Sequence, residues 1–154
     1  MTPLVRAAVL EDSETILELM VSVIRASLEA EYWSDITQNV TQNLAIWTKQ
    51  PNRCVHLVAE CESRIVGVIL VKEFWNLCSL FVVPDHQGKG IGRLLVEQAI
   101  AACRVLSSQQ AIVLNAAPNA IKFYLALGFQ VRSTSQHLPP GFQAMTYELF
   151  ASEA

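Results

Sequence analysis

The sequence predicts a single α/β domain spanning residues 1–154, and three observations carry that expectation. The chain is 52% hydrophobic and only 16% charged over 154 residues. A chain of that length can bury roughly 70% of the surface its unfolded form exposes. Residues 77–105 read as strand, glycine turn and helix in direct succession. Strand-like and helix-like apolar patterns then alternate along the rest of the chain, as a layered α/β core requires.

The strand–turn–helix stretch organises the whole. Leu77, Leu80, Phe81, Val82 and Val83 make a short buried strand, and Pro84 ends it because proline cannot donate to a ladder. Gly88, Gly90 and Gly92 follow at alternate positions, and Leu94, Leu95, Ile100, Ala101 and Val105 then recur at helical spacing. A glycine turn opening a helix presents unpaired N–H groups at the positive end of the helix dipole, which favours a phosphate. A P-loop would need Ser or Thr after Lys89, where Gly90 stands. A dinucleotide fingerprint counted from Gly88 would need glycine at 93, where Arg93 stands. Both nucleotide motifs fail by one residue.

The remaining elements follow in order. Residues 4–9 form a first strand, and Asp12 is expected to cap a helix running to about Leu28. Ser34 is expected to cap a second helix to about Lys49, with Ile36, Val40, Leu44 and Trp47 on one face. Residues 54–60 and 65–71 read as strands joined by a turn at Glu62 and Ser63, the second nearly all apolar and so buried on both faces. Gly67 inside it marks a bulge or a close backbone approach. After the organising helix come a strand at 111–115 and a short helix at 118–127, stopped by Gly128. Residues 129–132 and 143–150 are strands around a proline-rich loop at 133–141.

Composition narrows the function. A net charge of −3 and the absence of a basic run argue against a nucleic-acid partner. No apolar run approaches the ~20 residues of a membrane span, and 7–10 is too short for a signal-peptide core, so a cytoplasmic chain without a membrane partner is expected. Cys54, Cys61, Cys78 and Cys103 lie in apolar patterns without a C-x-x-C pair, and the histidines do not cluster. Reduced core thiols and no metal are the expectation.

The run Gln87-Gly88-Lys89-Gly90-Ile91-Gly92 resembles the pyrophosphate loop of the GNAT acetyltransferases, whose pattern is Gln/Arg-x-x-Gly-x-Gly/Ala. The segment from Asn115 to Phe129, ending Phe-Tyr-x-x-Leu-Gly-Phe, resembles that family's second signature in order, spacing and local structure. The resemblance implies the element order β-α-α-β-β-β-α-β-α-β-β, with a mixed, mostly antiparallel sheet whose central strands splay where acetyl-CoA enters. It implies an N-acetyltransferase moving an acetyl group from acetyl-CoA to a primary amine by direct attack in a ternary complex. On that footing Gly88, Lys89, Gly90, Ile91, Gly92 and Arg93, with Gln87, would hold the pyrophosphate, though Lys89 and Arg93 read equally as solvent-facing cations. Leu80, Phe81 and Val82 would pair with pantetheine, and the Val82 N–H would polarise the thioester carbonyl. Asn115 and Asn119 would contact the pantetheine arm, Asn119 being as readily a helix cap. Tyr124 would protonate the departing thiolate, its alternative being a core aromatic packed with Phe123.

The base that takes the amine proton stays open. Asn76 occupies the position where many relatives carry Glu, and an amide cannot serve. Glu73 through a water, His86 and His137 are the candidates, while His56 in an apolar strand reads as structural. Without that base the chain could instead be a catalytically weak acyl-CoA-binding protein, a sensor or partner subunit. Residues 29–35 offer either a solvated loop or a substrate lip. In the second reading Glu29, Glu31 and Asp35 with Tyr32 and Trp33 would favour a cationic acceptor. The acceptor could be a small molecule or a protein, and a homodimer is left open.

Overall fold

The computed structural model describes residues 2–150. Its elements come in the expected order: β1 (Leu4–Ala7), α1 (Ser13–Ser27), α2 (Trp33–Lys49), β2 (Cys54–Cys61), β3 (Arg64–Lys72), β4 (Asn76–Val82), α3 (Ile91–Leu106), β5 (Ala111–Ala116), α4 (Ile121–Ala126), β6 (Gln130–Val131) and β7 (Gln143–Glu148). The strands form one mixed sheet in the order β1-β2-β3-β4-β5-β7-β6, antiparallel at every step except between β4 and β5. No described helix is long and apolar enough to cross a membrane.

The middle of the sheet is dry because β3 is apolar on both faces. Val66, Val68, Ile69 and Val71 are fully buried, with α3 packed on one face and α1 and α2 on the other. Gly67 satisfies both readings of an interior glycine. The β2–β3 register shifts opposite it, between Ala59 and Glu60. A Cβ on Gly67 would also stand 3.1 Å from Leu95 Cδ1 and 3.2 Å from Ile91 Cγ2. The bare backbone lets α3 settle close to the sheet.

Asp12 stands at the N-cap of α1 as expected but its side chain makes no cap bond there, and the expected cap of α2 shifts. The Asp12 carboxylate accepts the Val9 N–H at 2.8 Å and holds the Arg6 guanidinium through two nitrogens, at 2.8 and 3.0 Å. Arg6 Nε reaches Glu60 at 2.8 Å, so one guanidinium ties β1 to β2 and to the entry of α1. The bond from Arg6 holds Asp12 below the usual carboxylate range. Helix α2 begins at Trp33, one residue before Ser34, and has no side-chain cap. Its start is fixed instead by Trp33 Nε1, which donates to the Leu28 carbonyl at 2.8 Å. The strand expected at 129–132 shortens to Gln130–Val131 because Phe129 turns into the core and is 2% exposed.

What positions the site is the relation of β4 to β5. They pair at a single register position, Asn76 with Val113, reinforced by the Val113 N–H donating to the Trp75 carbonyl at 2.8 Å. Beyond that point β5 gives its whole length to β7, from Ala111–Glu148 to Ala116–Gln143. β4 meanwhile stays with β3. The two halves of the sheet therefore part, leaving the outer edge of β4 open toward Val82.

His56 is structural, as its apolar setting suggests. It lies edge-on to Trp47 with ring centroids 4.2 Å apart, its Nδ1 has no partner, and burial lowers its pKa to about 4. Burial likewise pushes the Cys78 thiol up to about 11 and Cys103 up to about 12, so both stay protonated. The unfolded chain binds a proton at His56 below about pH 6.5, and the folded chain only near pH 4. Stability must therefore fall as pH drops through that window. Urea unfolding at about pH 7 and about pH 4.5 should show wild type losing ~2 kcal/mol more than His56→Phe. Equal losses would contradict this.

Candidate active site

The glycine turn is built for two purposes. Gly88 and Gly90 have φ of 76° and 83°, left-handed conformations that side chains resist, and Gly90 is the N-cap of α3. A Cβ on either would meet nothing within 4 Å, so the space before the loop is clear. Gly92 differs: a Cβ there would touch Phe123 Cζ at 3.4 Å, so this glycine lies where α3 faces α4. The open N–H groups at the start of α3 face the clear space as a seat for an anion. Ile91 and Arg93 line the same cavity, though the Arg93 Nε is paired to Glu97 at 2.8 Å. Lys89 does not line it, and opens instead on a separate cavity with Arg64 and Cys61.

Strand β4 supplies a second polar edge. The Val83 N–H donates to Val66 of β3 at 2.9 Å. Alternation along an antiparallel ladder turns the N–H groups of Leu80 and Val82 to the opposite edge, where β5 has left. The Val82 carbonyl confirms the direction by accepting Gln87 Nε2 at 2.9 Å. Gln87 thus straps the loop to the strand end.

Three cavities run together along this edge. One of about 530 Å³ lies before the loop, lined by Gly88, Gly90, Arg93, Phe123 and Asn119. Leu80, Val82, Gln87 and Asn119 continue into a central one of about 310 Å³ that also includes Phe81, Asn115 and Tyr124. Leu77, Phe81 and Asn115 lead on to a third of about 420 Å³, rimmed by Asn39, Asn43, Lys72, Asn76 and His137. The cleft is thus entered from two ends and narrows between β4 and β5.

Tyr124 and the Cys78 thiol are the titratable groups lining the central cavity. Tyr124 is 6% exposed and held edge-on between Phe123 at 5.1 Å and Phe129 at 5.3 Å. Its carbonyl takes the N–H groups of Leu127 and Phe129, a closure that depends on Gly128 at φ 100°. The Leu-Gly-Phe run therefore fixes the ring by folding the helix end back on it. The Tyr124 hydroxyl makes no hydrogen bond among the described residues. Burial pushes the phenol above its ordinary range, so it keeps its proton.

Several expected residues lie elsewhere. Glu73 sits at φ 55° in the β3–β4 turn, bound to Arg53 at 2.7 Å, and lines none of the three cavities. Its neighbour Phe74 is also left-handed, and this pair of positive φ angles turns Glu73 to solvent. Glu31, Tyr32 and Trp33 line none of the three either. Trp33 binds the carbonyl of Leu28, a residue that does line the central cavity. His86 faces the loop cavity, 3.7 Å from Asp85, and His137 faces the third. Asn119 caps nothing: α4 has Ala120 as N-cap without a side-chain bond. Lys72 and the Asn39–Asn43 pair were missed. An i, i+4 pair of amides beside an apolar stripe was the available signal.

A family model described as "Acetyltransferase (GNAT) domain" matches residues 25–149. The chain belongs to the GNAT acetyltransferases. Its fold is that of solved relatives at low identity. A GCN5-related N-acetyltransferase of Rhodopseudomonas palustris is 19% identical, with a TM-score of 0.78 over 96% of each chain. The putative acetyltransferase yncA of Salmonella typhimurium, solved with acetyl-CoA, is 22% identical, with a TM-score of 0.76 over 100% of this chain and 98% of that one. The PaiA N-acetyltransferase of Thermoplasma acidophilum, solved with coenzyme A, is 19% identical, with a TM-score of 0.74 over 96% and 99%.

Gly90→Ala separates the two duties of the loop. A side chain at φ 83° should cost about 1–2 kcal/mol of stability in urea unfolding. The added Cβ should also weaken CoA binding roughly tenfold in calorimetry. Loss of stability with unchanged CoA affinity would leave the glycine a purely conformational role.

Proposed function

We propose that the protein transfers the acetyl group of acetyl-CoA to a primary amine by direct attack in a ternary complex. The observation that carries this is one continuous cleft joining the glycine cradle, the open edge of β4 and a protonated, unbonded Tyr124. The clear space before Gly88 and Gly90 fits a pyrophosphate, with Gln87, Ile91, Gly92 and Arg93 completing its seat. Leu80, Phe81 and Val82 would carry pantetheine as an added strand, and Asn115 and Asn119 line the same passage. Acetyl-CoA supplies an activated acyl group on a thiol leaving group.

The roles of the chain's own groups follow from their positions. The Val82 N–H, aimed at the open edge, donates to the acyl oxygen as negative charge grows there. The Tyr124 hydroxyl donates to the departing sulfur, and its apolar surroundings strengthen that bond as charge develops. On the acceptor side Asn76 is an amide and Glu73 is turned away, so the imidazole of His137, which lines the third cavity, is the base. It takes the amine proton directly or through solvent.

Tyr124→Phe should lower kcat by ~10²-fold or more with little change in acetyl-CoA affinity, since the bond is made mainly in the transition state. Released thiol with a panel of amines measures the first and calorimetry the second. Wild-type turnover in the variant would return Tyr124 to the core. CoA binding without turnover on any amine would make the chain a binding protein.

A further inference from the structure

The third cavity speaks about the acceptor. Its polar rim consists of carboxamides, among them Asn39, Asn43, Asn76 and Gln136, together with Lys72 and His137, and no Asp or Glu among the described residues lines it. Asn43 is 6% exposed and its Nδ2 donates to Asn39 Oδ1 at 3.2 Å, so this part of the rim is fixed in place. Lys72, half-buried at the end of β3, forms no ion pair or hydrogen bond among the described residues. The carboxylate next to it in the chain, Glu73, is held by Arg53. A lone ammonium facing a cavity of amides is a place for an anion, since amides supply donors and the cation supplies the charge. The floor is apolar, formed by Ile36, Val40, Leu77, Phe81 and Leu138.

We infer that the acceptor is a small α-amino acid with an apolar side chain, its carboxylate bound by Lys72 and its side chain lying on that floor. The inference rests on the acetyl-transfer reading above. A polyamine would bring several positive charges to a rim that offers no carboxylate and already holds one cation. The acidic residues 29, 31 and 35 do not line the cavity. A cavity of about 420 Å³ suits a ligand of this size.

The test uses the full chain, first titrated with CoA in a calorimeter and then, CoA-saturated, with L-leucine, L-leucinamide or spermidine. Leucine should bind at least tenfold more tightly than leucinamide, which lacks the carboxylate, and more tightly than spermidine. In Lys72→Gln the leucine-to-leucinamide ratio should fall to near one while CoA affinity and melting temperature stay at the wild-type values. Leucinamide or spermidine binding as tightly as leucine, no leucine binding, or a preference that survives Lys72→Gln would overturn the inference and leave acetyl transfer standing. Failure of CoA itself to bind would overturn the acetyl-transfer reading and the inference with it.

Discussion

The single pairing of β4 with β5 at Asn76 and Val113 is the constraint on which the rest depends. A parallel neighbour that continued along β4 would take up the N–H groups of Leu80 and Val82 and close the cleft. Instead β5 pairs with β7 along one edge and diverges from β4 on the other after Asn76–Val113, so β4 keeps one satisfied edge and one open edge. An open edge in the middle of a sheet is stable here because helices cover both faces of β3 and β4 stays fully paired with β3 while it parts from β5 beyond Asn76. Once the strands part, the glycine loop, the β4 edge and Tyr124 fall into line along one passage.

The elements were legible because nearly every one carries a regular apolar period ended by glycine or proline. The buried β3 and the stripe of α3 announce themselves in this way, and the glycine turn between β4 and α3 points to an anion by its residue spacing alone. The splay itself could not be read from the residues. It arises from where β5 diverges from β4, which is set by contacts between segments far apart in sequence. Only the resemblance of two short motifs to a known family implied it. Local detail was lost where side chains choose tertiary partners. Asp12 stands at the N-cap of α1 but its carboxylate serves Arg6 and the Val9 N–H, and Trp33 rather than Ser34 anchors α2.

The site shows the same division. Glycine positions, Gln87 and Tyr124 are local features, and they meet at the cleft. Glu73 looked available because its position in sequence is close to Asn76, yet two successive left-handed residues and Arg53 turn it outward. The lip at 29–35 reads as acidic and aromatic; its Trp33 N–H binds the Leu28 carbonyl and the Arg25 guanidinium lies 5.8 Å from its ring. The charge that does face the third cavity is a lysine that reads in sequence as the ordinary polar end of a strand.

Amide hydrogen exchange with and without CoA tests the central claim most directly. The account predicts that the N–H groups of Leu80 and Val82, free on the open edge, and those from Gly88 to Arg93 gain protection when CoA binds. Residues on the β3-facing edge, such as Val83, should change little, being bonded already. Protection that appears elsewhere while Leu80, Val82 and the loop stay unchanged would contradict the account.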